Sequence, residues 1–251
     1  MIALITGATA GFGKATAILL AKNGYDLIIC GRRKDRLLEL EKNIKIEYER
    51  KVLSLCFDIR NYNEVKNSID SIKDEFTSIE VLVNNAGLAS GLSTIQDGNI
   101  DDWEKMIDTN VKGLLYMTRC VSPLMIKNKK GHIVNIGSIA GKEVYANGNV
   151  YCASKFAVDA LNKAMRLDMV QHGIRVSSIN PGMAETEFSI VRFNGDEERA
   201  KNVYRGVEAL SADDIAEAIL WTIRRPQHVN INEMIIMPTA QANTTLTIRK
   251  E

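Results

Sequence analysis

The sequence predicts an α/β fold with a doubly wound parallel sheet of about seven strands and helices on both faces. Two observations predict it. Short apolar runs alternate with longer amphipathic stretches along all 251 residues, and the short runs are apolar at consecutive positions, as strands covered on both faces are. No internal repeat, low-complexity tract or proline-rich linker divides the chain. Residues 1–251 are therefore expected to form a single domain.

The order of the predicted elements follows from this alternation. The strands, in chain order, are Ile2–Ile5, Asp26–Cys30, Val52–Phe57, Val81–Val83, His132–Ile136, Val176–Ile179 and Glu233–Met237. Apolar residues at helical spacing fill Gly13–Asn23, Arg33–Tyr48, Glu64–Phe76, Trp103–Lys127, Tyr151–Gly173 and Ala212–Arg224. The least regular segment is Pro181–Arg205. It follows a late strand, at the edge of the sheet where ligands bind, so we expect a flexible substrate lid there.

Composition and charge exclude several classes of protein. A hydrophobic fraction of 45% and a charged fraction of 25% are those of an ordinary globular protein. The net charge of +1 gives no reason to expect nucleic acid or an anionic membrane surface as a partner. No apolar run reaches the length of a membrane span, and the opening Met-Ile-Ala-Leu-Ile-Thr-Gly lacks the features of a signal peptide. We therefore expect a cytoplasmic protein.

The cysteines match neither a redox pair nor a zinc site, because they lie far apart in the sequence. We expect no metal site, and we expect buried free thiols at Cys30, Cys56, Cys120 and Cys152.

A glycine-rich turn follows the first strand and precedes the first helix. It reads Thr6-Gly7-Ala8-Thr9-Ala10-Gly11-Phe12-Gly13. Its glycines permit a tight turn and let backbone N–H groups and a helix N-terminus approach a pyrophosphate. This context indicates a Rossmann-type dinucleotide site at Gly7, Thr9, Ala10, Gly11, Phe12 and Gly13, although such a turn can also do no more than start a helix.

The second strand ends at Cys30-Gly31-Arg32-Arg33, with arginines and no acid. An acid at this place binds the ribose 2′-hydroxyl of NAD, whereas guanidinium groups bind a 2′-phosphate bidentately. Arg32 and Arg33 therefore favour NADP(H). The alternative is a pair of solvent-exposed arginines at the start of a helix.

Two further strand ends carry candidate cofactor residues. After strand three, in Phe57-Asp58-Ile59, the carboxylate of Asp58 is suited to accept a hydrogen bond from an adenine amino group, or else belongs to the N-cap region of the next helix. After strand four, Asn84-Asn85-Ala86-Gly87 forms a turn of small residues whose backbone can pass beneath a ribose.

A tyrosine and a lysine at helical spacing, Tyr151 and Lys155, form the candidate chemical centre. They lie on one helix face, and a nearby ammonium group favours phenolate and so lowers a tyrosine pKa. Tyr62 and Lys66 share the spacing, but their charged surroundings predict a surface position. Ser138 follows an apolar strand at the carboxyl edge of the sheet, where its hydroxyl could hold a substrate oxygen.

Together, the glycine-rich turn, Asn84–Gly87, Ser138 and Tyr151-x-x-x-Lys155 resemble the short-chain dehydrogenase/reductase family over essentially the whole chain. The resemblance implies Tyr151 as general acid/base and Lys155 as the group that binds the nicotinamide ribose. Ser138 would orient the substrate. Asn110 would anchor a water that relays protons, with a buried amide that satisfies backbone groups as the other interpretation.

The same resemblance implies cofactor contacts from Ile59 and from the segment after strand six. It carries nicotinamide contacts to Pro181, Gly182, Met183 and Thr186. It also implies a homotetramer, because the family commonly packs its two longest helices, here Trp103–Lys127 and Tyr151–Gly173, across a two-fold axis.

Three segments are more specifically similar to the NADP-dependent 3-hydroxy acid dehydrogenases, also described as serine or allo-threonine dehydrogenases. They are Asp102–Asn110, Thr186–Asp196 and His228–Asn232 leading to Met237-Pro238. The loop Met183-Ala184-Glu185 departs from the glycine-richer version of that group. This similarity implies oxidation of the 3-hydroxyl of serine, allo-threonine or 3-hydroxypropionate, or reduction of a semialdehyde.

An acidic substrate needs a cation in its pocket, and Arg192 is the candidate. Its alternative is a surface ion pair with Asp196 or Glu187. Two other functions stay open: a reductase of an uncharged or carrier-bound ketone, and a regulatory protein that binds NADP(H) without turnover.

Overall fold

Seven parallel strands form one sheet in the order β3-β2-β1-β4-β5-β6-β7. The structure, a computed structural model, describes residues 1–250. The strands are β1 Ile2–Thr6, β2 Asp26–Gly31, β3 Val52–Cys56, β4 Ile79–Asn84, β5 His132–Ile136, β6 Arg175–Pro181 and β7 Glu233–Ile236. Each predicted strand is present, with ends that differ by a few residues. The predicted doubly wound sheet is therefore confirmed.

Helices cover both faces of the sheet. The helices are α1 Gly11–Lys22, α2 Lys34–Tyr48, α3 Tyr62–Asp70, α4 Ile100–Ile107, α5 Leu114–Lys127, α6 Asn149–Met169, α7 Glu187–Arg192, α8 Glu197–Tyr204 and α9 Ala212–Ile223. Apolar residues of α1, α2 and α9 pack with Ala3 and Ile5 of β1. Residues of α3, α5 and α6 pack with Ile2 and Leu4 of the same strand. Between residues 1 and 250, no helix has the length and apolar character to cross a bilayer.

Two predicted helices differ from the observed ones. The predicted helix Glu64–Phe76 ends at Asp70, and a separate 3₁₀ turn covers Asp74–Phe76. The side chain of Ser71 closes this helix by donating to the Ser68 carbonyl at 2.8 Å. The predicted helix Trp103–Lys127 begins earlier, at Ile100, and contains a π-helical turn over Asp108–Gly113.

The segment Pro181–Arg205 is more regular than predicted. It contains α7 and α8, and a side chain caps each N-terminus. Thr186 Oγ1 accepts from the amide of Phe188 at 3.2 Å, and Asp196 Oδ1 accepts from the amide of Arg199 at 2.9 Å. The expected irregularity of this segment is therefore wrong, because short helices are stabilised here by their caps, and its role as a substrate lid stays a prediction.

Buried side-chain amides connect β4, β5 and α6. Asn84 Nδ2 donates to Asn135 Oδ1 at 2.9 Å, and Asn135 Nδ2 donates to Asn162 Oδ1 at 3.0 Å. Asn84 Nδ2 also donates to Thr118 Oγ1 at 3.0 Å. These amides form a buried hydrogen-bond network beneath the carboxyl edge of the sheet, in which Asn84 Oδ1 has no partner among the described residues.

All four cysteines are free thiols. Cys30 and Cys152 are buried, as predicted, but Cys120 is half-buried and Cys56 is exposed. The prediction for Cys56 is wrong because β3, which it ends, lies at the edge of the sheet.

Candidate active site

The candidate site lies where the strand order reverses, between β1 and β4. Crevices outside the carboxyl ends of parallel strands form at such a point. The glycine-rich turn follows β1, the turn Asn84–Gly87 follows β4, and Ser138 follows β5. The topology therefore brings these segments, which lie far apart in the sequence, to one edge of the sheet.

The glycine-rich turn requires glycine at several positions. Gly7 and Gly11 have φ of 66° and 50°, which favour glycine. A Cβ on Gly13 would lie 2.4 Å from the Gly7 carbonyl oxygen. The N-terminus of α1 has no side-chain cap and no acidic residue in its first turn. Its amide groups and dipole therefore suit an anion, and the turn fits a pyrophosphate.

The arginine cluster near the turn is bound to α7. Arg33 Nε and Nη2 donate to Thr9 Oγ1 at 3.0 and 2.8 Å, and Arg33 Nη1 donates to Glu187 Oε2 at 2.8 Å. Arg36 donates to the other oxygen of Glu187 at 2.7 Å. A 2′-phosphate at Arg33 would therefore compete with Glu187. Sequence reasoning missed Arg36, although it lies one helical turn after Arg33.

Glu187 is itself held in its charged form. Burial raises its pKa, but the hydrogen bonds from Arg33 and Arg36 outweigh burial and leave the pKa below its usual value. The first residue of α7 is thus a carboxylate that connects this helix to the arginines after β2.

Asp58 is held by Arg60, not by a helix start. Arg60 Nε contacts both carboxylate oxygens at 3.0 Å, and this hydrogen bonding lowers the pKa of Asp58. The N-cap interpretation is wrong, since Asn61 caps α3. The Arg32 guanidinium lies 3.7 Å from Asp58 and is 55% exposed, so it is the freer of the two predicted phosphate ligands. Ile59 is buried.

The turn after β4 is fastened to the glycine-rich turn. Asn85 Nδ2 donates to the Thr6 carbonyl at 2.8 Å, and the Ala86 amide donates to Thr6 Oγ1 at 2.9 Å. A Cβ on Gly87 would lie 3.7 Å from Lys155 Nζ. The same Cβ would lie 3.2 Å from Asn110 Oδ1, so residue 87 lies beside both side chains.

Tyr151, Ser138 and Lys155 come together as predicted. Tyr151 is 9% exposed, and Ser138 makes a side-chain hydrogen bond to it. Lys155 Nζ lies 6.0 Å from the centre of the Tyr151 ring and donates to the Ile136 carbonyl at 2.8 Å. The other pair of this spacing, Tyr62 and Lys66, lies at the surface, as predicted.

The pKa values in this centre depend mainly on burial. Burial raises the pKa of Tyr151, while the hydrogen bond from Ser138 and the charge of Arg192 act in the lowering direction. Burial also lowers the pKa of Lys155 to about 8. The groups that act to lower the Tyr151 pKa are Ser138 and Arg192, so the lowering expected from Lys155 stays a prediction.

Asn110 lies in the π-helical turn and is fully engaged with protein groups. Its Oδ1 accepts from the Leu88 amide at 2.8 Å, and its Nδ2 donates to the Leu88 carbonyl at 2.8 Å and to Ser154 Oγ at 3.0 Å. This is the predicted buried amide that satisfies backbone groups. The water relay that the resemblance implied stays a prediction.

Arg192 points into the site. Its Nη2 donates to the Tyr145 hydroxyl at 2.9 Å, its Nε donates to the Gly91 carbonyl at 3.3 Å, and its guanidinium carbon lies 5.8 Å from the Tyr151 ring centre. The predicted alternative, an ion pair with Asp196 or Glu187, is wrong because those carboxylates bind other groups. Nothing in the sequence pointed to Tyr145.

A small cleft of about 20 Å³ opens beside these groups, and both Tyr151 and Arg192 line it. An acid/base candidate and a cation thus face the same small volume.

The segment after β6 is held by a side chain from near the end of the described chain. The Gly182 amide donates to the last residue of β7 at 2.7 Å, and the Met183 amide donates to Gln241 Oε1 at 2.7 Å. Thr186 lies near the glycine-rich turn, since its Cβ is 3.4 Å from the position that a Cβ on Gly11 would take. These amides are therefore engaged within the protein, and sequence reasoning missed Gln241.

Comparisons with known proteins cover the whole chain. The family model for short chain dehydrogenases matches residues 1–196. An NADP-dependent 3-hydroxy acid dehydrogenase of Salmonella typhimurium is 45% identical over 251 residues, 100% of each chain. One of Schizosaccharomyces pombe is 43% identical over 249 residues, 99% of this chain and 96% of the relative. The closed form of a serine dehydrogenase complexed with NADP⁺ is 42% identical, covers 100% of both chains and gives a TM-score of 0.93.

Proposed function

Because the chain belongs to the short-chain dehydrogenase family, as an NADP-dependent oxidoreductase acting on CH–OH groups, we propose that it oxidises the 3-hydroxyl of small 3-hydroxy acids. Serine, allo-threonine and 3-hydroxypropionate are the proposed substrates, with a semialdehyde as substrate in reverse. One observation carries the proposal: Arg192, a cation without a carboxylate partner in the described part of the chain, lines the same cleft as Tyr151.

NADP⁺, when bound, accepts the hydride that leaves the carbinol carbon. The glycine-rich turn and the N-terminus of α1 would hold its pyrophosphate, and Arg32 with Arg33 would hold the 2′-phosphate. Asp58 and Ile59 would bind the adenine end. Asn85–Gly87, Lys155 and the segment Pro181–Thr186 would hold the nicotinamide end.

Tyr151 accepts the hydroxyl proton as the hydride leaves, and it returns that proton in the reverse direction. Ser138 orients the substrate oxygen by the same hydroxyl that hydrogen-bonds the phenol. The Ser138 hydrogen bond and the Arg192 charge both favour the phenolate against the cost of burial. Asn110 anchors the water that exchanges this proton with solvent.

Arg192 binds the substrate carboxylate and so places the 3-hydroxyl near Tyr151. Its guanidinium stacks near the rings of Tyr145 and Tyr151, at 5.5 and 5.8 Å from their centres. These contacts fix its position before a substrate arrives, which reduces the entropy cost of forming the ion pair.

Assembly as a homotetramer is part of the proposal. Apolar side chains on α5, α6 and the turn that follows are exposed, at 38% for Leu115, 42% for Phe156, 78% for Leu167 and 69% for Val170. A second copy packed on these helices would remove that surface from water. Sedimentation equilibrium tests this directly. We expect the mass of four chains, and the mass of one chain would contradict the proposal.

The reaction is tested by NADPH formation at 340 nm. NADP⁺ or NAD⁺ is supplied with serine, allo-threonine, 3-hydroxypropionate and a neutral secondary alcohol, for the wild type and Tyr151→Phe. Turnover of the acids with NADP⁺, lost in the variant, supports the proposal. Turnover of the neutral alcohol alone would indicate a reductase of uncharged substrates, and no turnover of any substrate would favour a regulatory NADP(H)-binding protein.

A further inference from the structure

The lining of the substrate cleft contains one acidic and one basic side chain among its described residues, Asp102 and Arg192. Gly91 separates them. Arg192 Nε donates to the Gly91 carbonyl at 3.3 Å, whereas Asp102 Oδ2 would lie 2.9 Å from a Cβ on Gly91. Opposite charges therefore flank the same glycine without binding each other.

Asp102 retains capacity for a ligand. Ser90 Oγ donates to its Oδ1 at 2.5 Å, and in the described part of the chain no lysine, arginine or histidine forms an ion pair with it. A carboxylate accepts about four hydrogen bonds. A half-buried carboxylate with one neutral partner is suited to a cation.

We propose that Asp102 is the ammonium-binding residue of the cleft, so that the preferred substrates are zwitterionic 3-hydroxy amino acids. The inference rests on the proposed function and narrows its substrate class. A zwitterion needs both charges in its site: Arg192 binds the carboxylate, and Asp102 binds the ammonium group on the neighbouring carbon. Ser90 holds the Asp102 carboxylate in place.

A purely structural role for Asp102 makes a different prediction. Asp102 lies in the first turn of α4, where negative charge stabilises a helix. Asp101 lies in the same turn, but it is exposed and outside the cleft lining. Asp101→Asn is therefore the matched control: it removes the same charge from the same helix end without changing the cleft.

The test compares serine with 3-hydroxypropionate, which differ by the ammonium group. In Asp102→Asn we expect kcat/KM for serine to fall by about 10- to 100-fold, the usual effect of losing a charged hydrogen bond. The value for 3-hydroxypropionate should stay within about threefold of wild type, because that substrate makes no use of the subsite. Asp101→Asn should leave both values within about threefold.

An equal loss for both substrates, or no loss for serine, would overturn the assignment of Asp102. A wild type that oxidises neither substrate would instead contradict the proposed function. If Asp102→Asn fails to fold, inhibition of the wild type by alanine and propionate decides the question. If Asp102 pairs with the ammonium group, alanine should inhibit at least as well as propionate. Without that pairing, desolvating the ammonium group is costly, so much weaker inhibition by alanine would also overturn the proposal.

Discussion

Lys155 carries a buried charge whose cost depends on pH, and this cost can be measured by unfolding. Burial lowers its pKa from 10.5 to about 8. Because the folded value lies below the unfolded value, the cost is fully present below pH 8 and disappears as the pH rises to 10.5. At about 1.4 kcal/mol for each pKa unit, the charge destabilises the folded protein by about 3 kcal/mol near pH 7.

Substitution Lys155→Met removes this pH dependence. The variant should gain stability relative to wild type, and this gain in the free energy of unfolding should be larger at pH 7 than at pH 10 by about 2 kcal/mol. The Ile136 carbonyl also loses its donor, but that cost is the same at both pH values. Comparing the two pH values therefore isolates the charge.

Urea titration followed by circular dichroism, without cofactor, gives the free energies. Lys163→Met is the control, since Lys163 lies on the same helix with its side chain 57% exposed. Its difference from wild type should vary little with pH. A difference for Lys155→Met that is constant with pH, or that grows toward pH 10, would refute the explanation from burial. The variant should also lose turnover.

Other predictions concern the cofactor end and the core. Arg33→Ala should raise KM for NADP⁺ by about 10- to 100-fold and leave KM for NAD⁺ within about threefold; equal effects in steady-state kinetics would argue against a 2′-phosphate contact. Gly13→Ala should lower the melting temperature and weaken NADP⁺ binding in calorimetry, because its Cβ would meet the Gly7 carbonyl at 2.4 Å. Burial of His132 lowers its pKa to about 3, so stability present above pH 6.5 is lost as the pH falls toward 3. In His132→Asn, thermal melts should show a smaller loss between pH 7 and 4.5, and an unchanged loss would contradict the assignment.

The sequence predicted the strands well because the inner strands are covered on both faces and so carry runs of consecutive apolar residues. It also predicted Ser138, Tyr151 and Lys155 as one group, since parallel strands place their carboxyl ends at one edge. Helix ends were less predictable. Thr186 and Asp196 cap short helices in a segment whose charge and glycines indicated irregular chain.

The remaining site residues depend on contacts between distant parts of the chain. Arg192 and Gly91, which hold one wall of the cleft, are 101 residues apart. The need of an acidic substrate for a cation suggested Arg192, but nothing in the sequence pointed to its neighbours Tyr145 and Asp102. Likewise, burial raises the pKa of Tyr151, and only the folded structure shows how deep that burial is.

The row of buried amides beneath the site also has a consequence for how the sheet assembles. Asn84 pairs with Asn135 across β4 and β5. A shift of one residue between these strands would turn Asn135 toward the opposite face and leave amide groups without partners in an apolar layer. Each orphaned group would cost about 1–3 kcal/mol. Apolar strands can pair in more than one register. These asparagines therefore raise the free energy of misregistered sheets during folding and favour the native register.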